Sequence, residues 1–164
     1  MKKDNKKYER FTWDQYFLEL VKVVGGRGTC DRGRSGCVIA KSKRIISTGY
    51  VGSPVGTAHC DDVGHEMHIV TENGKESQHC IRTTHAEQNA IVNAARFGAA
   101  LDGATLYCHM TPCYVCAKMI INAGIKKVVC NKDYHKGARS KEIFEEAGVE
   151  YVLNNEEIET YDNM

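Results

Sequence analysis

The sequence predicts one α/β domain, a three-layer α/β/α sandwich around a mixed central sheet of about five strands. Three observations lead there. The hydrophobic patterns follow one another as a helix, a hairpin and then strand–helix pairs, which places helices on both faces of one sheet. At 164 residues, with 42% hydrophobic and 26% charged, the chain fills one core and hardly two. No internal repeat divides it, so residues 1–164 read as a single domain with a core over 11–153.

Each element has its own signal. Thr12-Trp13-Asp14-Gln15 has the form of a capping box. Trp13, Tyr16, Phe17, Leu20, Val21 and Val24 then fall on one helical stripe that Gly25-Gly26 ends. Gly36 to Ala40 and Arg44 to Tyr50 read as two strands of a hairpin around Lys41-Ser42-Lys43. Val51 to Thr84 shows no sustained period and reads as a long loop, which something other than an apolar core must hold. His85 to Phe97 is helical, with Ala86, Ala90, Ile91 and Ala94 on one side and Gly98 as its stop. A strand over Ala104 to Cys108 precedes a helix over Cys113 to Ala123, and a strand over Lys127 to Cys130 precedes a helix near Arg139 to Ala147. A last strand covers Val149 to Leu153, and Asn154 to Met164, with four acids and no base, reads as a mobile acidic tail.

Composition excludes several function classes. The 22 Lys+Arg against 21 Asp+Glu leave a formal charge of +1, which does not suit a broad polyanion binder. No apolar run approaches the roughly 20 residues that span a bilayer. The Lys-rich start, Met1 to Arg10, lacks the apolar segment of a secretory signal, so a cytoplasmic chain is expected, with Lys2 to Arg10 as a solvated end. Eight cysteines beside seven histidines are the outlier, and in a reducing compartment such clusters bind metal more often than they form disulfides.

His85-Ala86-Glu87 opens one predicted helix and Pro112-Cys113-Tyr114-Val115-Cys116 opens the next. Cys113 and Cys116 lie about one helical turn apart and can grip one ion. The helix dipole lowers thiol pKa and so favours the thiolate that zinc needs. His85, Cys113 and Cys116 make three protein ligands, which leaves a fourth tetrahedral position open, the arrangement of a catalytic zinc. Glu87, two residues from the His ligand, can then act as general acid and base. A Cys-x-x-Cys alone also serves structural zinc and redox pairs. His-x-Glu followed by Pro-Cys-x-x-Cys is the pattern of zinc nucleobase deaminases.

Over Thr12 to Leu153 the sequence resembles the deoxycytidylate (dCMP) deaminases of the cytidine deaminase superfamily. The resemblance lies in Arg44 to Tyr50, Gly52-Ser53-Pro54-Val55-Gly56, His59-Cys60-Asp61 and the run Cys80 to Ile91. It implies a cytidine deaminase-like fold and hydrolysis of dCMP to dUMP with release of ammonia, feeding thymidylate synthesis. It also implies activation by dCTP, inhibition by dTTP, magnesium with the regulatory nucleotide, and a homo-oligomer, often a hexamer. Tyr134 is the family's Tyr near the nucleotide; Tyr50, Ser53 and Ala86 are expected to meet the substrate too, and the Cys108 to Thr111 stretch is expected to be a loop in the pocket wall. Arg96 falls in a region that borders the family's regulatory nucleotide site, and a solvated helix Arg is the other reading. His109 and His135 are further candidates for phosphate.

Cys30, Cys60, His65 and Cys80 match places where bacterial and phage relatives carry an additional zinc. Four ligands without an open position would be structural and would order Val51 to Thr84. His59 and His79 are rival ligands, and Cys37, Cys108 and Cys130, inside strands, read as core. One departure is Val51: the family commonly reads Gly-Tyr-Asn-Gly where this chain has Gly49-Tyr50-Val51-Gly52, and Val cannot make the Asn hydrogen bond. The other readings are deamination of another cytosine nucleotide or of adenosine in tRNA, and a non-catalytic zinc-stabilised binding module.

Overall fold

The computed structural model describes residues 9–72 and 75–159; most of the Lys-rich N-terminal run and the last five tail residues lie outside them. Helix α1 (Trp13–Gly25) starts at the capping box: Gln15 N–H donates to Thr12 Oγ1 at 3.2 Å and Thr12 N–H to Gln15 Oε1 at 2.8 Å. Its buried stripe is Phe17, Leu18 and Val21. Trp13 and Tyr16, assigned to that stripe from the sequence, stay half-exposed, with Trp13 stacked on Phe17 and Lys43 Nζ 5.3 Å from the indole. Their polar atoms and bulk suit the rim of the core better than Leu18 does.

Strands β1 (Gly36–Lys41) and β2 (Arg44–Tyr50) form the hairpin, turned by Ser42 and Lys43, both at positive φ (50° and 63°). That is the left-handed geometry of a two-residue turn, here built without glycine. Beyond it come α2 (Cys60–Val63), β3 (Met67–Glu72), β4 (Lys75–Cys80), α3 (Ala86–Arg96), β5 (Thr105–Met110), α4 (Tyr114–Asn122), β6 (Lys127–Tyr134), α5 (Ala138–Glu146), β7 (Glu150–Leu153) and β8 (Ile158–Glu159). The central sheet runs β2-β1-β5-β6-β7, with β8 added on β6; β1 is antiparallel to β2 and β5, and β5, β6 and β7 are parallel. The expected mixed sheet is therefore borne out. Cys37, Ile39, Leu106, Cys108, Val128 and Cys130 face the cluster that includes Ala90 of α3, Ile120 of α4 and Phe144 of α5. The alternate residues Val38, Ala40, Tyr107 and Val129 face Phe17, Leu18 and Val21 of α1. This is the alternation of a sheet covered on both faces, and the three strand cysteines are core, each fully buried.

Two segments differ from the sequence reading. Val51 to Thr84 is not structureless: it holds α2 and the β3–β4 hairpin, registered Met67↔Cys80 through Glu72↔Lys75. The acidic tail, read as mobile, begins with ordered chain, since β8 pairs beside Asp133 and Tyr134 of β6. Past Cys130 that edge of β6 has lost β7, and β8 satisfies its backbone instead, with Asp133 N–H donating to Glu157 O at 2.8 Å.

Glycine at position 49 sets the seat of α3. A Cβ there would collide with the backbone of Ala86 and Ala90, so β2 and α3 touch main chain to main chain. Ser47 Oγ donates to Ala90 O (2.7 Å), while Asn89 and Asn93 donate to Tyr50 O (2.8 Å) and Thr48 O (3.0 Å). The start of α3 is thereby held at one end of the sheet. Among the described residues no helix is long and apolar enough to cross a membrane.

Candidate active site

The two motifs meet at helix starts. His85 is the N-cap of α3 and Cys113 the N-cap of α4, both with extended backbone, and Cys116 lies in the first turn of α4. Buried Thr111 and Pro112 join β5 to α4 and fix where that turn begins. His85 Nδ1 lies 3.5 Å from Cys113 Sγ and 3.4 Å from Cys116 Sγ. Zinc bonded tetrahedrally to a thiolate and an imidazole implies an S···N edge of about 3.6 Å. The trio has that spacing, so its donor set and size fit zinc, with these residues as three ligands.

The charges suit a cation. Cys113 is lowered to about 4 by the thiol of Cys116 and, against the cost of its burial, by His85. His85 is in turn pushed up to about 9 by the Cys113 sulfur, which outweighs desolvation. Cys116 is held high by Cys113 and by burial. Glu87, 7% exposed in the first turn of α3, is raised by desolvation against the pull of His85, and its carboxyl contacts Cys116.

A cavity of about 500 Å³ opens on this trio, lined by His85, Ala86, Glu87, Cys113 and Tyr134, and also by Cys30, Arg32, Val51, Gln78, His79, Cys80 and Thr111. Of the residues expected to meet substrate, Ala86 and Tyr134 are in this wall, while Tyr50 and Ser53 are not among those that line it. Ser53 N–H donates to Thr29 Oγ1 (3.1 Å) and its hydroxyl is buried without a partner; Val51, beside them, reaches the cavity instead. Met110 and Thr111 line it, but Cys108 to Met110 is strand rather than loop, and Cys108 is fully buried in the core. His109 sits 3.9 Å from Glu159 and is no part of the lining; His135 contacts Glu159 O and edges the Tyr134 ring. Arg96 is exposed at the far end of α3, 5.8 Å over Phe97.

The second set also converges. Cys30, Cys60, His65 and Cys80 offer ligand atoms that all lie within 4.8 Å of one another. The Cys60–Cys80 sulfurs are 3.6 Å apart and Cys30 Sγ is 3.7 Å from His65 Nδ1, against tetrahedral zinc edges of about 3.8 Å and 3.6 Å. His65 Nε2 meets Asp31 Oδ1 at 3.1 Å, the carboxylate–histidine arrangement that orients metal ligands. His59 and His79 stand outside the cluster: His59 is the N-cap of α2, and His79 Nε2 lies 3.0 Å from Ser77 Oγ.

Some participants escaped sequence reasoning. Asp133 accepts from Thr111 Oγ1 (2.7 Å), Tyr134 N–H (2.8 Å) and Lys141 Nζ (2.6 Å), and so ties the Tyr134 backbone to the turn before Cys113. Burial would raise its pKa, but Lys141, Thr111 and the Tyr134 amide together hold it below the ordinary carboxylate value. Arg32 contributes a guanidinium to the wall and donates to Gln78 O at 3.4 Å. No motif marks these; the hairpin wall itself had a local signal, Asn73-Gly74 between two strand-like runs.

Comparison with known proteins agrees with this geometry. Residues 11–132 match the family described as "Cytidine and deoxycytidylate deaminase zinc-binding region". "ComE operon protein 2" of Bacillus subtilis is 43% identical over 141 residues, which cover 86% of this chain and 70% of that protein. "Deoxycytidylate deaminase" of Schizosaccharomyces pombe is 35% identical, covering 86% of this chain but 44% of its own length, so the chain spans under half of that relative. The crystal structure of dCMP deaminase from the cyanophage S-TIM5 in complex with dCMP and dUMP superposes with a TM-score of 0.70 at 26% identity, over 89% of this chain and 99% of that one.

Proposed function

The chain belongs to the cytidine and deoxycytidylate deaminase family, and on that premise we propose that it is a zinc-dependent dCMP deaminase. The reaction is dCMP plus water to dUMP plus ammonia. One observation carries it: among the described residues that line the cavity, Glu87 is the only carboxylate, and it is buried against the His85–Cys113–Cys116 trio. Zinc held by that trio would supply a Lewis acid that acidifies water at neutral pH. As the carboxylate, Glu87 takes one proton from the attacking water and passes it to N3 of the base as oxygen adds at C4. It then takes the second proton from the C4 hydroxyl and delivers it to the amine as the C4–N bond breaks, which releases ammonia and leaves the C4 carbonyl of dUMP. Ala86 and Tyr134 border the space where the base and sugar must lie.

The phosphate gives the reading its substrate. Arg32, in the cavity wall, can pair with it through charge-assisted hydrogen bonds. Ammonia release measured in parallel from dCMP, dCTP, deoxycytidine and CMP tests this. The expected result is a wide kcat/KM advantage for dCMP; equal efficiency on dCMP and deoxycytidine contradicts it and marks a nucleoside deaminase.

Further readings rest on less. A second, structural zinc on Cys30, Cys60, His65 and Cys80 is supported by their spacing. Regulation by dCTP and dTTP, magnesium on the triphosphate and a role for Arg96 rest on family resemblance alone. Assembly into a homo-oligomer has that basis too.

A further inference from the structure

Tyr134 stands in the cavity wall, and the strand that carries it runs past its neighbours in the sheet. β5 accompanies β6 as far as Lys132, and β7 as far as Cys130. At Asp133 and Tyr134 the strand partner, among the described residues, is β8, registered Asp133↔Ile158 and Tyr134↔Glu159. The Asp133 carboxylate and the Gly137 N–H hold the amide and carbonyl of Tyr134 itself, at 2.8 Å each. β8 holds the residues on either side of it. Asp133 N–H donates to Glu157 O at 2.8 Å, and His135 reaches Glu159 O from its amide (3.5 Å) and from Nδ1 (3.3 Å). The His135 ring in turn meets the Tyr134 ring edge-on, with centroids 4.7 Å apart.

Two residues of strand do not hold themselves, because a short strand pair without apolar cover is marginal in water. Ile158, between the two acids, is 60% exposed and buries little. What fastens β8 is charge. Lys132 Nζ lies 3.3 Å from Glu157 Oε2 and 3.1 Å from Glu159 Oε2, so one ammonium bridges the two carboxylates that flank Ile158. His109 Nε2, 3.9 Å from the same Glu159 oxygen, is at the outer limit of an ion pair. We propose that Lys132 is a positioning residue for the substrate: by clamping Glu157 and Glu159 it latches β8 onto β6, and β8 sets the Tyr134 stretch of the cavity wall. This rests on the dCMP reading. It makes the acidic tail, far in sequence from His85 and Cys113, a part of the substrate site, held there by charge instead of apolar burial.

The test compares zinc-loaded wild type with Lys132→Met, Lys132→Arg and Glu159→Gln in dCMP turnover and in amide hydrogen exchange. Loss of two partly exposed ion pairs corresponds to about three- to tenfold. Lys132→Met is expected to raise KM for dCMP by that factor with kcat little changed. It also speeds exchange at Asp133 and His135, whose N–H groups donate to β8. The main-chain bond from Thr111 N–H to Lys132 O (3.1 Å) does not depend on the side chain, so zinc content stays that of wild type. Lys132→Arg keeps the charge and stays near wild type, and Glu159→Gln moves both readouts the same way by less. Added salt screens the latch and narrows the difference between wild type and Lys132→Met. In a Tyr134→Ala background Lys132→Met changes KM little further, since the wall residue it acts on is gone. Where Lys132→Met fails to fold, Glu159→Gln carries the same comparison. Faster exchange with an unchanged KM shows that the tail detaches without consequence for substrate, and overturns the assignment while the dCMP reading stands. Unchanged exchange, whatever KM does, overturns the latch. A wild type without dCMP turnover overturns both readings.

Discussion

Asp133 shows how much a single side chain can organise without a motif to announce it. Its carboxylate gathers Thr111, the Tyr134 amide and Lys141, and Thr111 in turn contacts the Tyr151 hydroxyl at 2.8 Å. The partners come from β5–α4, β6, α5 and β7, so nothing near Asp133 in the chain reveals the hub. Its folded pKa lies below the ordinary value of 3.8, so the stability it adds is present above that value and lost as pH falls through and below it. The melting temperature of wild type should therefore exceed that of Asp133→Asn at neutral pH, with the gap closing under acid. A gap that stays constant with pH would mean that the carboxylate's charge is not what holds these strands. His85, Glu87, Cys113 and Cys116 were legible for the opposite reason: their relation is set by spacing within two helix starts, and spacing is visible in a sequence. Tyr50 and Ser53 illustrate the limit, because which residues of the 50–53 stretch reach the cavity depends on how the chain turns after β2.

At the scale of elements, strands and helices with apolar repeats were readable because burial imposes the repeat. The mixed sheet with helices on both faces, the α3 and α4 starts and the three core cysteines all follow that logic, while the strand order β2-β1-β5-β6-β7 came only with the structure. The β3–β4 hairpin obeys a different one. Ile69 is exposed and Val70 only half-buried, so the hairpin has little apolar alternation to display. At its base stand the sulfur and imidazole groups of Cys30, Cys60, His65 and Cys80, whose donor chemistry shows in the sequence while the β3–β4 strand pairing does not. Cys60→Ser should accordingly lower the melting temperature and expose residues 51–84 to protease, with zinc at the His85 trio retained. Limited proteolysis beside zinc analysis checks it. Unchanged cleavage within 51–84 would show that the cysteines are not what fastens this segment.

Across the whole molecule, the two clusters share one cavity: Cys30 and Cys80 line it from the insertion side, His85 and Cys113 from the helix starts. The sheet brings the helix starts together, and the insertion closes the space in front of them. Glu87, buried in the first turn of α3, lines the space between these two sides. Sequence reading reached the chemistry of each half but not their common wall, since Val51, Gln78 and Tyr134 meet only in the folded chain. The central claim is that Glu87 moves the protons of a zinc-dependent dCMP deamination. The most direct measurement is dUMP formation from dCMP by wild type and Glu87→Gln at matched zinc content, with dCMP binding measured alongside. Turnover by wild type, falling by at least roughly 10²–10⁴-fold in the variant while zinc and dCMP stay bound, is the predicted result. Near-wild-type turnover by Glu87→Gln would contradict it.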